Sequence, residues 1–487
     1  MVEKMNLMGS LKDTLMSIYE LDEYTITELL CKFADEINNK TDLTGNHLGQ
    51  WQGLDKPTLS EEGLRSTVEK NARDIESLNN NLNSINQNLS DNVNSINQNL
   101  SDNNSNIENI KNKLENLNIV NVKDYGAIGD GQTDDTQAIQ NAIDSIPNGG
   151  IVYIPTGVYN YTQLRIKNDG VCLIGNHSGT SFSGSTLKCI SEGDCSILVV
   201  KDSDDKLFGG GLYNLNIFGS EYEHVLYNDH ITKPINNVGI LIKHTSFFNM
   251  ENVTVYGFGK GNCIIDGAYD GSIINCEFVY CGENGYCLEL RKTSEYVDIC
   301  NSMKFVNCKL EFGKNLLRVE GSRNIIFNNC KLEVGCDTST HPIRIEDTCY
   351  EVNFNNCIFS NNENNGFMIV SYNQGTSINN CQFSNGVLEG GVGAKWVYGS
   401  YLMLNNNLFM LCKNDSIAID IGRGSMFCNN KVLTYSNGQT QTIYADEMCI
   451  IKDNILHDYN RTSTSYMLNV DTSKNEVDSN IEYPPVR

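Results

Sequence analysis

The sequence predicts a mainly β protein, a parallel β-helix preceded by a small α-helical domain and a coiled coil. Three observations carry this. From about residue 119 short apolar segments alternate with Gly and Asn. Within that region an Asn followed by an apolar residue returns every 20 to 40 residues. Ahead of it lies an Asn/Ser/Gln-rich tract whose sparse apolar residues keep helical spacing.

The small domain is assigned to residues 1–66. Its helix signal is TITELLCKFADEIN, 25–38, where Thr25 and Glu28 have capping-box spacing and Ile26, Leu29, Leu30, Phe33 and Ile37 share one face. The following TGNHLGQWQGLDKPTLSEEG is punctuated by Gly and Pro and reads as loop.

The coiled coil is assigned to 67–118. Ile75, Leu78, Leu82, Ile85, Leu89, Val93, Ile96 and Leu100 are spaced by three or four residues, and SINQNLSDN occurs at 84–92 and again at 95–103. An 11-residue repeat gives about 3.67 residues per turn, hence a nearly straight or slightly right-handed coil. At about 1.5 Å per residue the tract would form a rod of about 75 Å. One chain cannot bury so narrow a seam, so association of copies is expected.

The β-helix is assigned to 119–460. Asn-Cys occurs at 275–276, 307–308, 329–330, 356–357 and 380–381, while Asn214-Leu215 and Asn252-Val253 fit the same frame. Two residues after each second member stands Ile217, Val255, Phe278, Leu310, Leu332, Phe359 or Phe383. Such a period, without a helical signal, means one coil per repeat. Each Asn then occupies a tight bend and bonds its equivalent in the next coil, and each Cys points inward as a small hydrophobe. Stacked thiols form a line rather than a tetrahedron, which disfavours a zinc site. Beyond Asn380 the segments 404–409, 427–432 and 452–456 resemble further rungs without a readable register, and 461–487 reads as a polar tail.

Composition excludes several classes. A formal charge of -24 opposes a nucleic-acid or anionic-membrane partner. No stretch reaches the roughly 20 apolar residues needed to span a bilayer, and the N-terminus lacks the apolar run of a targeting signal. Eighteen cysteines without a CxxC pair, in a chain long enough for a large core, are expected to remain thiols in a reducing cytoplasm.

The segment VKDYGAIGDGQTDDTQAIQNAIDSIPNGGIVYIPTGVYNY, 122–161, resembles the entry sequence of pectate-lyase-like, single-stranded right-handed β-helix proteins, among them bacteriophage tailspikes and appendage depolymerases. In it Asp134 or Asp135 is expected to cap the helix that closes the open end of the stack. With the preceding coil, the resemblance implies a homotrimeric tailspike located in the virion tail after assembly in the host cytoplasm. Its N-terminal domain would hold other tail or baseplate proteins, and its β-helix would bind a bacterial surface polysaccharide. No metal and no cofactor are expected. The Asn-Thr-Asp, Asp-Asp and Gly-His-Gly elements of polygalacturonase-type members are not present in that order, and RIK at 165–167 lies too early to be their counterpart.

Chemistry is sought where the repeat is broken. The long intervals 214–252 and 275–307 imply protruding loops, the first carrying Tyr222, His224, Tyr227, Asp229 and His230 as sugar-binding candidates. LELRKT, LRVEGS and IRIEDT, beginning at 288, 317 and 343, stack Arg318 over Arg344 and Glu320 over Glu346, with Glu289 and Arg291 alongside on a solvent face. Glu320, Glu346 and Glu289 are the catalytic candidates, since carboxylates one coil apart approach glycosidase separations of about 5 Å. Arg318, Arg344 and Arg291 are substrate-binding candidates, or else pair with the acids as a surface ladder. Glu311 and Glu333 beside Lys309 and Lys331 have the same chemistry with less loop cover. The expected activity is glycopolymer depolymerisation, hydrolysis ahead of elimination, and the alternative is a non-enzymatic receptor-binding spike.

Overall fold

The computed structural model of the chain describes residues 61–116, 118–176, 184–219, 234–292, 298–334, 341–361, 367–384, 395–412, 417–434, 443–458 and 468–483. The helix signal at 25–38 lies outside them. Helix α1 spans Glu61–Asn116 and so begins inside the segment assigned to the N-terminal domain. Glu61, Glu62, Leu64 and Arg65 are good helix formers, and the single Gly63 costs only about 1 kcal/mol, which so long a helix absorbs. The repeat is visible in its surface bonds: Gln87 donates to Asp91 at 3.1 Å, and eleven residues later Gln98 donates to Asp102 at 3.0 Å. The apolar stripe from Ile75 to Ile110 is about half exposed throughout.

Past a short turn the chain forms a right-handed parallel β-solenoid of about 11 turns. All described strand pairings within it are parallel, each strand pairing with its counterparts one coil before and after. Three faces result. Face A includes Val238–Ser246, Gly261–Tyr269, Tyr286–Arg291, Asn315–Val319, Ile343–Ile345, Phe367–Ser371, Lys395–Gly399, Ile419–Ile421, Ile443–Ala445 and Leu468–Val470. Face B includes Ser322–Asn328 and Tyr350–Asn355, and face C Lys331–Val334 and Ile358–Asn361.

The repeat frame is realised in three dimensions. Asn214, Asn252, Asn275, Asn307, Asn329, Asn356 and Asn380 all adopt φ between 53° and 55°, the left-handed bend between faces B and C. Asn tolerates that region because its short side chain bonds locally. Asn252 donates to Asn214 at 3.0 Å and Asn307 to Asn275 at 3.1 Å, as the ladder requires. Later coils shift the ladder back one residue, to Asn355, Asn379 and Asn405. The cysteines after the bends are buried and unbridged. Burial pushes the Cys276 thiol up to about 12, so it serves as filler rather than nucleophile. Ile217, Val255, Phe278, Leu310, Leu332, Phe359 and Phe383 stand in register on the inner side of face C. Phe305, Phe327 and Phe354 stack on face B with centroids 4.6 and 4.9 Å apart.

One expectation needs correction and a second is narrowed to one of its two candidates. The solenoid does not stop at 460: Leu468–Val470, Glu476–Asp478 and Ile481–Tyr483 pair in parallel with the preceding coil. The strands of this coil are half-buried or exposed, and its composition therefore resembles a tail. At the entry, Asp134 accepts from the Thr136 backbone N–H at 3.0 Å, whereas Asp135, in the cap position of helix α2 (Thr136–Asp144), makes no side-chain cap bond. The buried Asp135 carboxylate instead accepts from Ile128 N–H at 2.7 Å and Gly129 N–H at 3.0 Å, fixing the preceding turn.

Candidate functional site on face A

Outward residues of face A form two columns. The first reads Leu241, Ile264, Glu289, Arg318, Arg344, Val370, Tyr398, Asp420, Tyr444 and Asn469, each in register with the next. The second, two residues further along each strand, includes Lys243, Asp266, Arg291, Glu320, Glu346, Tyr372 and Asp446, held by bonds such as Glu320 N–H to Leu290 O and Asp446 N–H to Ile421 O. Arg318 over Arg344 is therefore as the sequence implies, and Glu320 and Glu346 are one coil apart.

The space between the acids is not open. Arg318 reaches Glu289 at 3.0 Å, Glu320 at 2.9 Å and Glu346 at 3.2 Å, and Arg344 adds a second contact to Glu346 at 3.4 Å. Arg291 lies 3.6 Å from Asp266 and 3.9 Å from Glu289. Glu289, expected on a solvent face, retains only 11% side-chain exposure and Asp266 only 1%. Desolvation opposes the Arg318 charge, but the surrounding carboxylates more than offset it and raise its pKa. A guanidinium fork shared by three carboxylates is a fixed donor and acceptor array, not an acid waiting to give up a proton.

The comparison stripe behaves differently. Lys331 bridges Glu311 at 2.8 Å and also contacts Glu333, while Lys309 pairs with Glu277 at 2.6 Å, so each lysine pairs with fewer acids than Arg318 does. In the RIK segment, Arg165 pairs with Asp202 at 2.7 Å and Lys167 with Asp144 at 3.5 Å. Tyr222, His224, Tyr227 and His230 lie outside the described residues.

Sequence reasoning missed a second part of face A. Toward the C-terminal end the columns change from ion pairs to Tyr372, Tyr398, Asp420, Tyr444 and Asp446, with Tyr372 and Tyr398 exposed. The signal exists in the strand pattern: Ile419-Asp-Ile and Ile443-Tyr-Ala-Asp continue the in–out alternation of Ile343-Arg-Ile-Glu. A further polar cluster was also missed. Asp298 takes contacts from His244 Nδ1 at 2.6 Å, Lys206 Nζ at 3.0 Å and Tyr269 OH at 3.2 Å, with Lys206 3.8 Å over the Tyr269 ring. Its members come from separate coils, which spacing cannot bring together. Among the described residues no group of three or more His, Cys, Asp or Glu could hold a metal ion, and no helix is long and apolar enough to cross a membrane.

Comparisons with known proteins agree with this architecture. Residues 119–196 match the family described as rhamnogalacturonase A/epimerase, pectate lyase-like, and residues 238–409 match the right handed beta helix region. The chain is 34% identical to alginate lyase 7 of Azotobacter vinelandii over 108 residues, 21% of this chain and 13% of that protein. It is 37% identical to probable rhamnogalacturonase E of Aspergillus oryzae over 106 residues, 20% of this chain and 24% of that protein. The chain thus spans less than a quarter of either relative. A solved DFA-IIIase of Arthrobacter chlorophenolicus A6, without its lid, superposes with a TM-score of 0.52 at 14% identity, covering 76% of this chain and all of that one, a likeness of fold. The solenoid is accordingly a right-handed parallel β-helix whose entry coils match a pectate-lyase-like family over 119–196.

Proposed function

We propose that this protein binds and cleaves a glycopolymer along face A, and that it does so as a homotrimeric bacteriophage tailspike acting on a bacterial surface polysaccharide. The observation that carries the carbohydrate reading is the continuous passage, on one outward face, from an Arg–carboxylate array into a tyrosine-lined stretch. The array offers charged donors and acceptors to sugar hydroxyls, and the tyrosines offer faces on which pyranose rings stack. Named relatives that are an alginate lyase and a probable rhamnogalacturonase support it. The tailspike reading is supported by element order, a long helix with an unburied apolar stripe ahead of a β-solenoid. Residues 1–60 would then hold tail or baseplate proteins.

A second reading, a spike that binds without cleaving, is favoured by one observation: Arg318 engages Glu289, Glu320 and Glu346 together. The test is incubation of the purified chain with sodium alginate, rhamnogalacturonan and purified capsular and teichoic-acid polymers, following binding, new reducing ends and ultraviolet absorbance. Reducing ends alone identify a hydrolase, and both signals a lyase. Binding without either leaves the receptor-binding spike, and no binding to any polymer ends the carbohydrate reading.

A further inference from the structure

Glycoside hydrolysis needs one carboxyl that gives a proton and another that takes one, and the Arg318 array offers neither cleanly. Further along face A the requirement is met by different residues. Asp420 stands between Tyr398 and Tyr444, its register partners one coil before and one coil after. Asp446 follows two residues after Tyr444, its N–H bonded to Ile421 O at 3.0 Å, and so points to the same side as Asp420 from the next coil. Among the described residues neither acid pairs with a lysine or arginine. Adjacent coils about 4.8 Å apart and a two-residue step of about 6.6 Å place the two backbone positions about 8 Å apart on the diagonal, from which side chains on one face can reach the roughly 6.5–9.5 Å between carboxyls that leaves room for a water.

The geometry points to Asp420 and Asp446 as the acid and base of an inverting glycoside hydrolase, with Tyr398 and Tyr444 as the ring-stacking faces on either side of the cleaved bond. Asp420 transfers its proton to the glycosidic oxygen as the bond from that oxygen to the anomeric carbon breaks. Asp446 takes a proton from the water that forms the new bond to the same carbon from the opposite face. The products are a new reducing end of inverted configuration and a free hydroxyl, and the two carboxyls reset by proton exchange with solvent. An independent property agrees: burial, followed by the nearby Asp446, raises the Asp420 pKa, the only aspartate or glutamate among the described residues shifted that way.

This rests on the glycan-cleaving reading above, and the test separates the two. On whichever polymer the wild type cleaves, Asp420→Asn and Asp446→Asn are each expected to lower kcat about 100-fold or more with KM little changed. The new anomer, read by proton NMR at early times, is expected to be inverted. Asp420→Asn should abolish the fall in rate on the alkaline side of the pH profile. If the wild type cleaves while either variant keeps kcat within threefold, or the anomer is retained, the dyad is wrong and the broader reading stands. If the wild type binds polymer without cleaving any, both the dyad and the enzymatic reading fail. A measurement free of activity is carbodiimide coupling near pH 6 with peptide mass mapping. Asp420 is expected to label ahead of other carboxyls and to lose that preference in Asp446→Asn; equal labelling in the two proteins overturns their coupling.

Discussion

Asn356 holds a φ of 54°, a conformation that costs most side chains about 1–2 kcal/mol and a β-branched one more. Asn356→Val is therefore expected to lower stability by about 2 kcal/mol in urea unfolding, while Asn356→Gly stays within about 0.5 kcal/mol. At Arg318 the controlling quantity is charge. Removing the guanidinium leaves Glu289, Glu320 and Glu346 facing one another beside Asp266, and Arg318→Ala is expected to cost about 2–4 kcal/mol at pH 7. Burial pushes the Asp298 carboxyl up, but Lys206, with His244 and Tyr269, outweighs burial and leaves it below its ordinary 3.8. A carboxyl lowered on folding contributes stability above its unfolded value and loses it as pH falls through the folded one. Asp298→Asn should thus cost about 1–2 kcal/mol at pH 7 and nothing once both proteins are measured below the folded-state value.

Between faces B and C one inward column changes its chemistry along the stack. Cys276, Cys308, Cys330, Cys357 and Cys381 give way to Asn407, Asn430 and Asn454, all buried. Asn407 Oδ1 accepts the Cys381 backbone N–H at 2.9 Å, and the next two asparagine oxygens accept both the backbone N–H and the amide of the asparagine one coil earlier: Asn430 Oδ1 takes Asn407 N–H at 2.9 Å and Asn407 Nδ2 at 3.0 Å. Its own amide donates to Leu404 O at 2.8 Å and Asn454 Oδ1 at 3.2 Å. Four partners around one buried side chain make the ladder intolerant of apolar replacement. Asn430→Leu should cost about 3 kcal/mol or more, because it strands Asn407 N–H and Leu404 O in the core. Asn430→Cys, which restores the upstream residue type in a slot of similar size, should cost appreciably less. The order of the two midpoints in urea checks this, and an equal loss would show that packing rather than hydrogen bonding controls the column.

For the whole molecule, the stripe on α1 decides whether copies associate. Leu89→Asp together with Ile96→Asp puts charge into the seam, and light scattering should then report the 54.3 kDa of one chain where the wild type gives a multiple. A wild type that already runs as a single chain would remove the trimer from the proposal. Helix and solenoid were legible in the sequence because each is a repeat: a period near 3.67 can only be a helix, and Asn at every bend with an apolar residue two positions past its neighbour can only be a coil stack. The coil at 468–483 was not legible, since it buries little and its composition resembles a tail. Nor were the setting of Asp420 or the cluster at Asp298, while for Arg318 the sequence implied a ladder with the neighbouring acids but not which of them share one guanidinium. Apart from Glu320, the partners lie 22 to 92 positions from Arg318, Asp420 or Asp298 and come from other coils. The sequence by itself determined the architecture, the inward column and the order of residues on face A, because periodicity is a local property that dictates which side each residue faces. Which acids are neutralised and which remain free was decided only by tertiary structure, because the reach of Arg318 across three coils depends on their register and spacing.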